Sequence, residues 1–274
     1  MRALLASLCL LIWLSSCGGP AKPYIDNPYE NQMKDFTHMG VKAMHEGRWK
    51  PAEHAFARAL QMAQLLSDPA LEARAWYNDA MAWKAMGDME KAKDALQQGL
   101  RIAHRHQLTH SAQRAQIQWV LLHEGQGILP TLEKTWPADM ALSLGYGLSK
   151  QEKFQQAQQA YTYVLHHAND EKSGLLLKAR AMLGLAMLSK HIDSSQYIPW
   201  AKKASIIFRQ VGAPQKTAQT LLIIASDQHY TLKQRQDAAI RAQTTFHILQ
   251  NKHGEKQAQD ILQSMALFEE GEHE

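Results

Sequence analysis

Histidine is the residue type to test first for chemistry, because fourteen occur in 274 residues. His104, His106 and His110 cluster near one another. A helical metal pair needs a spacing of three or four on one face, and of these only His106 and His110 have it. Thr109 and Ser111 between them read as the start of a new helix, which breaks that face. His123-Glu124 opens a zinc-protease-like word, but no histidine follows four residues on. His166 and His167 are adjacent and point apart on a helix. Gly-x-Ser-x-Gly words and glycine-rich phosphate loops are absent. The carboxylates Asp79 and Glu90, or Glu152 and Glu171, show no apolar enclosure in the sequence and read as solvated faces. No catalytic set emerges, and the expectation is a protein with no metal and no cofactor.

Cysteine narrows the chemistry further. Only Cys9 and Cys17 occur. Cys9 lies inside an apolar run of twelve residues, Ala3 to Leu14, behind the positive start Met1-Arg2. Such a run fits the core of a secretory signal and is too short to span a bilayer. It ends in Leu14-Ser15-Ser16-Cys17-Gly18, which resembles the lipobox of bacterial lipoproteins. The resemblance implies cleavage after residue 16 and acylation of Cys17, with several alkyl chains as a stable anchor. Gly18-Gly19 is not the acidic residue that marks inner-membrane retention in that family. The implied address is therefore the outer membrane, facing the periplasm. Cys9 would leave with the signal and Cys17 would carry lipid, so no free thiol would remain. Gly18 to Gln32 is rich in Pro, Gly and Asn and reads as a flexible tether.

The elements that follow must be helices. Ala, Leu, Gln, Lys and Met are abundant, and 45% hydrophobic with 20% charged residues is ordinary globular composition. A net charge of +4 is too small and too scattered to suggest nucleic acid. Gly47, Gly87 and Gly127 fall 40 residues apart, and their neighbourhoods repeat. Gly47-Arg48-Trp49-Lys50-Pro51-Ala52 aligns with Gly87-Asp88-Met89-Glu90-Lys91-Ala92, then Phe56 with Leu96. Upstream, Phe36 aligns with Trp76 and Gly40 with Ala80.

These residues resemble the tetratricopeptide repeat (TPR), a pair of antiparallel helices with small residues where the two cross and a glycine at the turn. Trp76-Tyr77-Asn78, Trp83, Gly87-Asp88, Ala92 and Leu100 form the fullest copy. Gly40, Ala80, Ala52 and Ala92 would sit at the close crossings, while Trp49, Phe56 and Trp83 would fill the spaces between pairs. A further copy runs through Leu144-Gly145, Leu148, Phe154, Ala157, Tyr161 and Val164-Leu165. The third copy departs: Pro130 falls at the start of its second helix and Trp136-Pro137 cuts that helix short, which predicts a kink. Later copies blur around Leu183-Gly184, Met187, Ala201 and Phe208, and around Leu221-Leu222, Ala225, Ala238 and Ala242. Glu255 to Phe268 reads as one more amphipathic helix.

The expected architecture is an all-α, TPR-like right-handed solenoid of five to six helix pairs with a C-terminal capping helix. The expected division is a signal peptide over 1–16, lipidated Cys17 and tether over 17–32, repeats over 33–250, and capping helix with acidic tail over 251–274. First helices of successive pairs would line a concave groove. The resemblance places Tyr77, Asn78, Met81 and Lys84 on that groove, with Asn78 where such repeats hold the backbone of a bound peptide. Thr37, His38, Val41 and Met44 correspond in the first copy. The implied partners are proteins or peptides in the groove and a membrane through Cys17. A non-catalytic adaptor in envelope, secretion or pilus assembly fits these readings. The competing one is a periplasmic metal-dependent or cell-wall-processing enzyme, for which His106 would be the test residue.

Overall fold

Local capping rules set where the helices begin. The computed structural model describes residues 27–189, 191–192 and 198–271. The signal segment and Cys17 lie outside the described residues. Helix α1 spans Pro28–His45, with Pro28 in its first turn and the side chain of Asn27 accepting from the Tyr29 amide at 3.1 Å. The helix therefore claims the last residues of the expected tether, because Asn27-Pro28 is the same start signal as Asp68-Pro69. At the latter, Asp68 accepts from the amides of Ala70 (2.8 Å) and Leu71 (3.1 Å) and opens α3, Pro69–Met86. Between them lies α2, Trp49–Leu66, and α4, Met89–Arg105, completes the second pair.

Every helix packs on the next in the chain, and alternate helices touch as well: α3 on α5, α6 on α8, α10 on α12. These are α5 (Thr109–Leu122), α6 (Ala138–Lys150), α7 (Phe154–His167), α8 (Lys172–Leu188), α9 (Ile198–Gln210), α10 (Pro214–Ser226), α11 (Leu232–Ile248) and α12 (Lys252–Gly271). Neighbour-only packing of antiparallel helix pairs is a solenoid, so the chain is an all-α, TPR-like stack. Among the described residues five pairs are complete. The capping helix is present and packs on α11 and α10.

Crossings are close because the residues there are small. Ala52, Ala80, Ala92, Ala157 and Ala218 are wholly buried. Phe56 lies over Gly40, Tyr161 over Gly145, and Phe246 over Gly254. Trp49 was expected to fill such a space, but it is 40% exposed and lies over the turn at Gly47. As the first residue of α2 it stands at the turn rather than along the buried face of Ala52, Ala55, Phe56 and Ala59.

The third copy differs more from expectation. No second helix, kinked or otherwise, follows α5; residues 123–137 run as turn and irregular chain. The left-handed residue that ends α5 is Glu124, with φ 55°, and Gly127 lies three residues further inside the irregular stretch. The regular glycine spacing therefore marks the turns at Gly47 and Gly87 but misses the third. Side chains rather than a helical ladder hold this stretch. Gln151 Nε2 donates to the carbonyls of Gly125 and Gly127 at 2.7 Å each, and Gln116 Nε2 to that of Ile128 at 2.9 Å. The Tyr163 hydroxyl donates to the carbonyls of Lys134 and Trp136. Trp136, only 3% exposed, fills the place of the missing helix against Met140, Leu144 and Ala160.

Candidate functional site

The inner face of the stack is made by α3, α5, α6, α8, α10 and α12, and three clefts run along it. The first, about 270 Å³, lies between α3, α5 and the start of α6 and includes Arg74, Tyr77, His110, Arg114 and Met140. The second, about 500 Å³, is walled by Lys84, Leu121, Tyr146, Lys150 and Phe154 and floored by Tyr161 and Gly184. The third, about 530 Å³, lies against α12 and includes Leu222, Ile223, Asp227, Asp260 and Ile261. Met187 and His191 line both the second and the third, so these two clefts adjoin.

The floor follows from sequence. Gly145 on α6 and Gly184 on α8 leave room for the Tyr161 ring between them. The Tyr161 hydroxyl lies 3.2 Å from Ser149 Oγ, and burial holds its pKa well above the usual phenol value. Tyr146 meets that ring edge-on at 5.7 Å between centroids. His191 stacks on Phe154 at 4.3 Å and extends the wall.

The polar groups are fewer. Arg114 on α5 forms an ion pair with Asp139 on α6 and lies over the Tyr77 ring at 5.8 Å. Burial raises the Tyr77 pKa, with Arg114 opposing. Lys84 Nζ donates to Gln118 Oε1 at 3.4 Å, and burial lowers the Lys84 pKa. Arg180 on α8 stands within electrostatic reach of both the Tyr146 hydroxyl and Lys216 on α10. Lys216 donates to Gln219 Oε1 at 3.0 Å, and its pKa is lowered by burial and then by Arg180.

Of the residues expected on the groove, Tyr77 lines the first cleft and Lys84 the second. Met81 is half-buried and packs on the core of Ala80, Ala95 and Leu96. Asn78 is half-buried and lines none of the three clefts. Thr37 is half-buried, while His38 and Val41 are exposed on α1, away from the clefts. Met44 packs on Ala43 and Phe56. Sequence reasoning missed Tyr146 and Met187, which line the clefts. Tyr146 was within reach of the repeat register, since it follows Gly145 as Met81 follows Ala80.

Two expectations about ionisable groups also meet the structure. Asp79 was read as solvated, but it is 7% exposed. It accepts from Trp83 Nε1 at 3.1 Å and faces Glu53, and burial pushes its pKa up to about 6. It takes the neighbouring helix to enclose it, which α3 alone does not reveal. His106 and His110 stand on different elements, His106 capping the end of α4 and His110 in the first turn of α5. Among the described residues no three His, Cys, Asp or Glu side chains converge as a metal site would need. Nor, among them, is any helix long and apolar enough to cross a membrane.

Neither family models nor curated proteins give a match. Solved structures do. The apo form of the quorum sensor NprR from B. thuringiensis aligns over 87% of this chain and 78% of its own, at 13% identity and a TM-score of 0.49. The apo form of RapI aligns over 89% and 85%, at 12% identity and a TM-score of 0.43. The TPR2AB domain of yeast Sti1, solved in complex with pHSP90, aligns over 85% of both chains at 15% identity and a TM-score of 0.33.

Proposed function

We propose that this chain is a lipid-anchored, non-catalytic adaptor that holds a segment of a partner protein in its inner groove. The observation that carries the reading is the pair of adjoining clefts that share Met187 and His191, each lined mostly by apolar side chains. An elongated apolar trough with a few placed polar groups suits an extended chain better than a compact substrate. Gln257 lines the third cleft, and an amide side chain can both donate to and accept from a peptide backbone.

The address rests on the sequence. The apolar run ending in Leu14-Ser15-Ser16-Cys17 supports acylation at Cys17, and Gly18-Gly19 supports an outer-membrane site facing the periplasm. From there the adaptor would recruit partners in envelope, secretion or pilus assembly.

Two measurements on the full chain test this. Replacing Cys17 with Ala should abolish palmitate labelling and move the protein from the membrane to the soluble fraction; a variant that stays with the membrane would remove the anchor from the account. Affinity capture of the lipidated protein should recover envelope proteins that Met187→Glu no longer retains. Recovery unchanged by that substitution would contradict docking in the groove.

A further inference from the structure

The outer layer of the stack carries a cleft of its own, about 280 Å³, between α9 and α11. Lys202, Ser205, Ile206 and Arg209 line it from α9, and Gln234, Asp237, Ala238 and Arg241 from α11. Both sets keep the i, i+3, i+4, i+7 spacing of a single helix face, so two helix faces look at each other across the opening. Leu221 and Ile224 of α10 close the bottom. Antiparallel neighbours make alternate helices parallel, so Arg209 and Arg241 stand towards one end of the cleft and Lys202 and Gln234 towards the other. Lys202 Nζ accordingly lies 4.8 Å from the centre of the Tyr230 ring, just ahead of α11.

Ser205 is the unusual member of this wall. It is only 9% exposed, and among the described residues its hydroxyl has no hydrogen-bond partner. The other buried Ser or Thr hydroxyls among them, Thr217 and Thr220, bond back to the carbonyls of Ala213 (3.1 Å) and Lys216 (2.7 Å), one helical turn earlier. A buried hydroxyl without a partner forfeits its hydration for no return. Because Ser205 lines the cleft, an occupant of the cleft can supply that partner. The charges around it set the sign of the occupant. Among the described residues neither Lys202 nor Arg209 is within ion-pair distance of an acid, and Arg241 is held only loosely, at 3.8 Å from Asp237. Three cations against one carboxylate leave a positive surplus that favours an anion.

We propose that this outer cleft binds the phosphate ester of a polyol. The phosphate oxygens face Arg209, Arg241 and the Ser205 hydroxyl, and the polyol lies along Ile206 with its hydroxyls against Asp237 and Gln234. A phosphate is favoured over a carboxylate because it has oxygens enough for two guanidinium forks and a hydroxyl donor at once. Asp237 repels a second acid and accepts from hydroxyls, which favours a polyol over a polyanion. The cleft is walled by α9 and α11 rather than by the inner clefts' helices, so this assignment stands or falls apart from the adaptor reading.

The test titrates the full chain, in micelles of a neutral detergent, with inorganic phosphate, glycerol phosphate and a hexose phosphate, and with phosphatidylglycerol doped into the micelles. An ester should bind about tenfold more tightly than inorganic phosphate, since it adds the polyol contacts. Ser205→Ala should weaken the ester by about tenfold, the effect of one hydrogen bond to a charged group. The same substitution should leave Tm unchanged or raise it, because it removes an unpartnered hydroxyl; a merely structural serine would lower Tm and leave affinity alone. Arg209→Glu should abolish binding and keep the circular dichroism of the wild type. Soluble esters bound with this dependence support the assignment with a soluble ligand. Phosphatidylglycerol bound alone, with the same dependence on Ser205 and Arg209, supports it with a lipid headgroup as the source. No binding of any probe, binding unchanged in Ser205→Ala or Arg209→Glu, or inorganic phosphate bound as tightly as the esters would overturn it.

Discussion

The Tyr161 ring rests on the bare backbone of Gly184, one repeat further along the chain. A Cβ added at Gly184 would lie 2.5 Å from Tyr161 Cζ, 2.7 Å from Cε2 and 2.8 Å from Cε1. This contact joins the α6/α7 pair to the α8/α9 pair and forms the floor of the central cleft.

Gly184→Ala should therefore destabilise the protein, against the usual preference for Ala in a helix. Propensity alone would add about 1 kcal/mol. Overpacking against a ring that is 1% exposed should cost more, about 1–3 kcal/mol, and lower Tm by a few degrees in a chain of this size. Thermal unfolding followed by circular dichroism reads this directly. A raised Tm would mean that Tyr161 moves aside freely and that the cleft floor is soft.

Asp79 gives a pH-dependent prediction. Its folded pKa of about 6 lies above the usual 3.8, so the folded state holds this proton more tightly than the unfolded chain does. That contribution is fully present below pH 4 and is lost as pH rises through 6. Asp79→Asn keeps an acceptor for Trp83 and removes the charge. The variant should gain stability relative to wild type above pH 6, by up to about 3 kcal/mol, with the gain disappearing towards pH 4. Denaturant melts of both proteins at pH 4.5 and 7.5 supply the comparison. An offset that does not change with pH would place the Asp79 carboxylate in water.

Tyr163 should matter to one stretch only. Its hydroxyl reaches the carbonyls of Lys134 at 2.8 Å and Trp136 at 2.9 Å. Tyr163→Phe leaves both without that donor, at a cost of about 1 kcal/mol. Amide exchange should quicken over residues 124–137 and stay unchanged in α10 and α11. Uniform acceleration would mean that the hydroxyl supports the whole stack rather than residues 124–137.

Much of this was written locally in the sequence. Gly47 and Gly87 sit at φ 71° and 85°, where a residue without Cβ is favoured, and both turns are legible from that. The other turns that end α4, α5, α6 and α11 place Gln107, Glu124, Glu152 and Gln250 in the left-handed region, and no residue type announces them. Gly127 aligned by spacing alone. Trp136-Pro137 warned of a break, but the complete replacement of a helix depended on Tyr163, Gln116 and Gln151, which lie on other elements. The groove was read from the fullest copy, so Tyr77 and Lys84 were found. Met187 belongs to a copy whose pattern has blurred, and its place between the two clefts arises only when α8, α10 and α12 are laid side by side. Asp79 shows the same limit, since its enclosure is supplied by another helix.

Photo-crosslinking from two equally exposed positions tests the central claim most directly. Met187, on the wall shared by the two clefts, and Ile240, on α11, are each 52% exposed. A photoreactive residue placed at each in the lipidated protein, in intact cells, samples the groove and a second-helix surface under the same conditions. The account predicts discrete adducts from position 187 and none from position 240. Adducts from position 240 alone, or in equal yield from both positions, would contradict it.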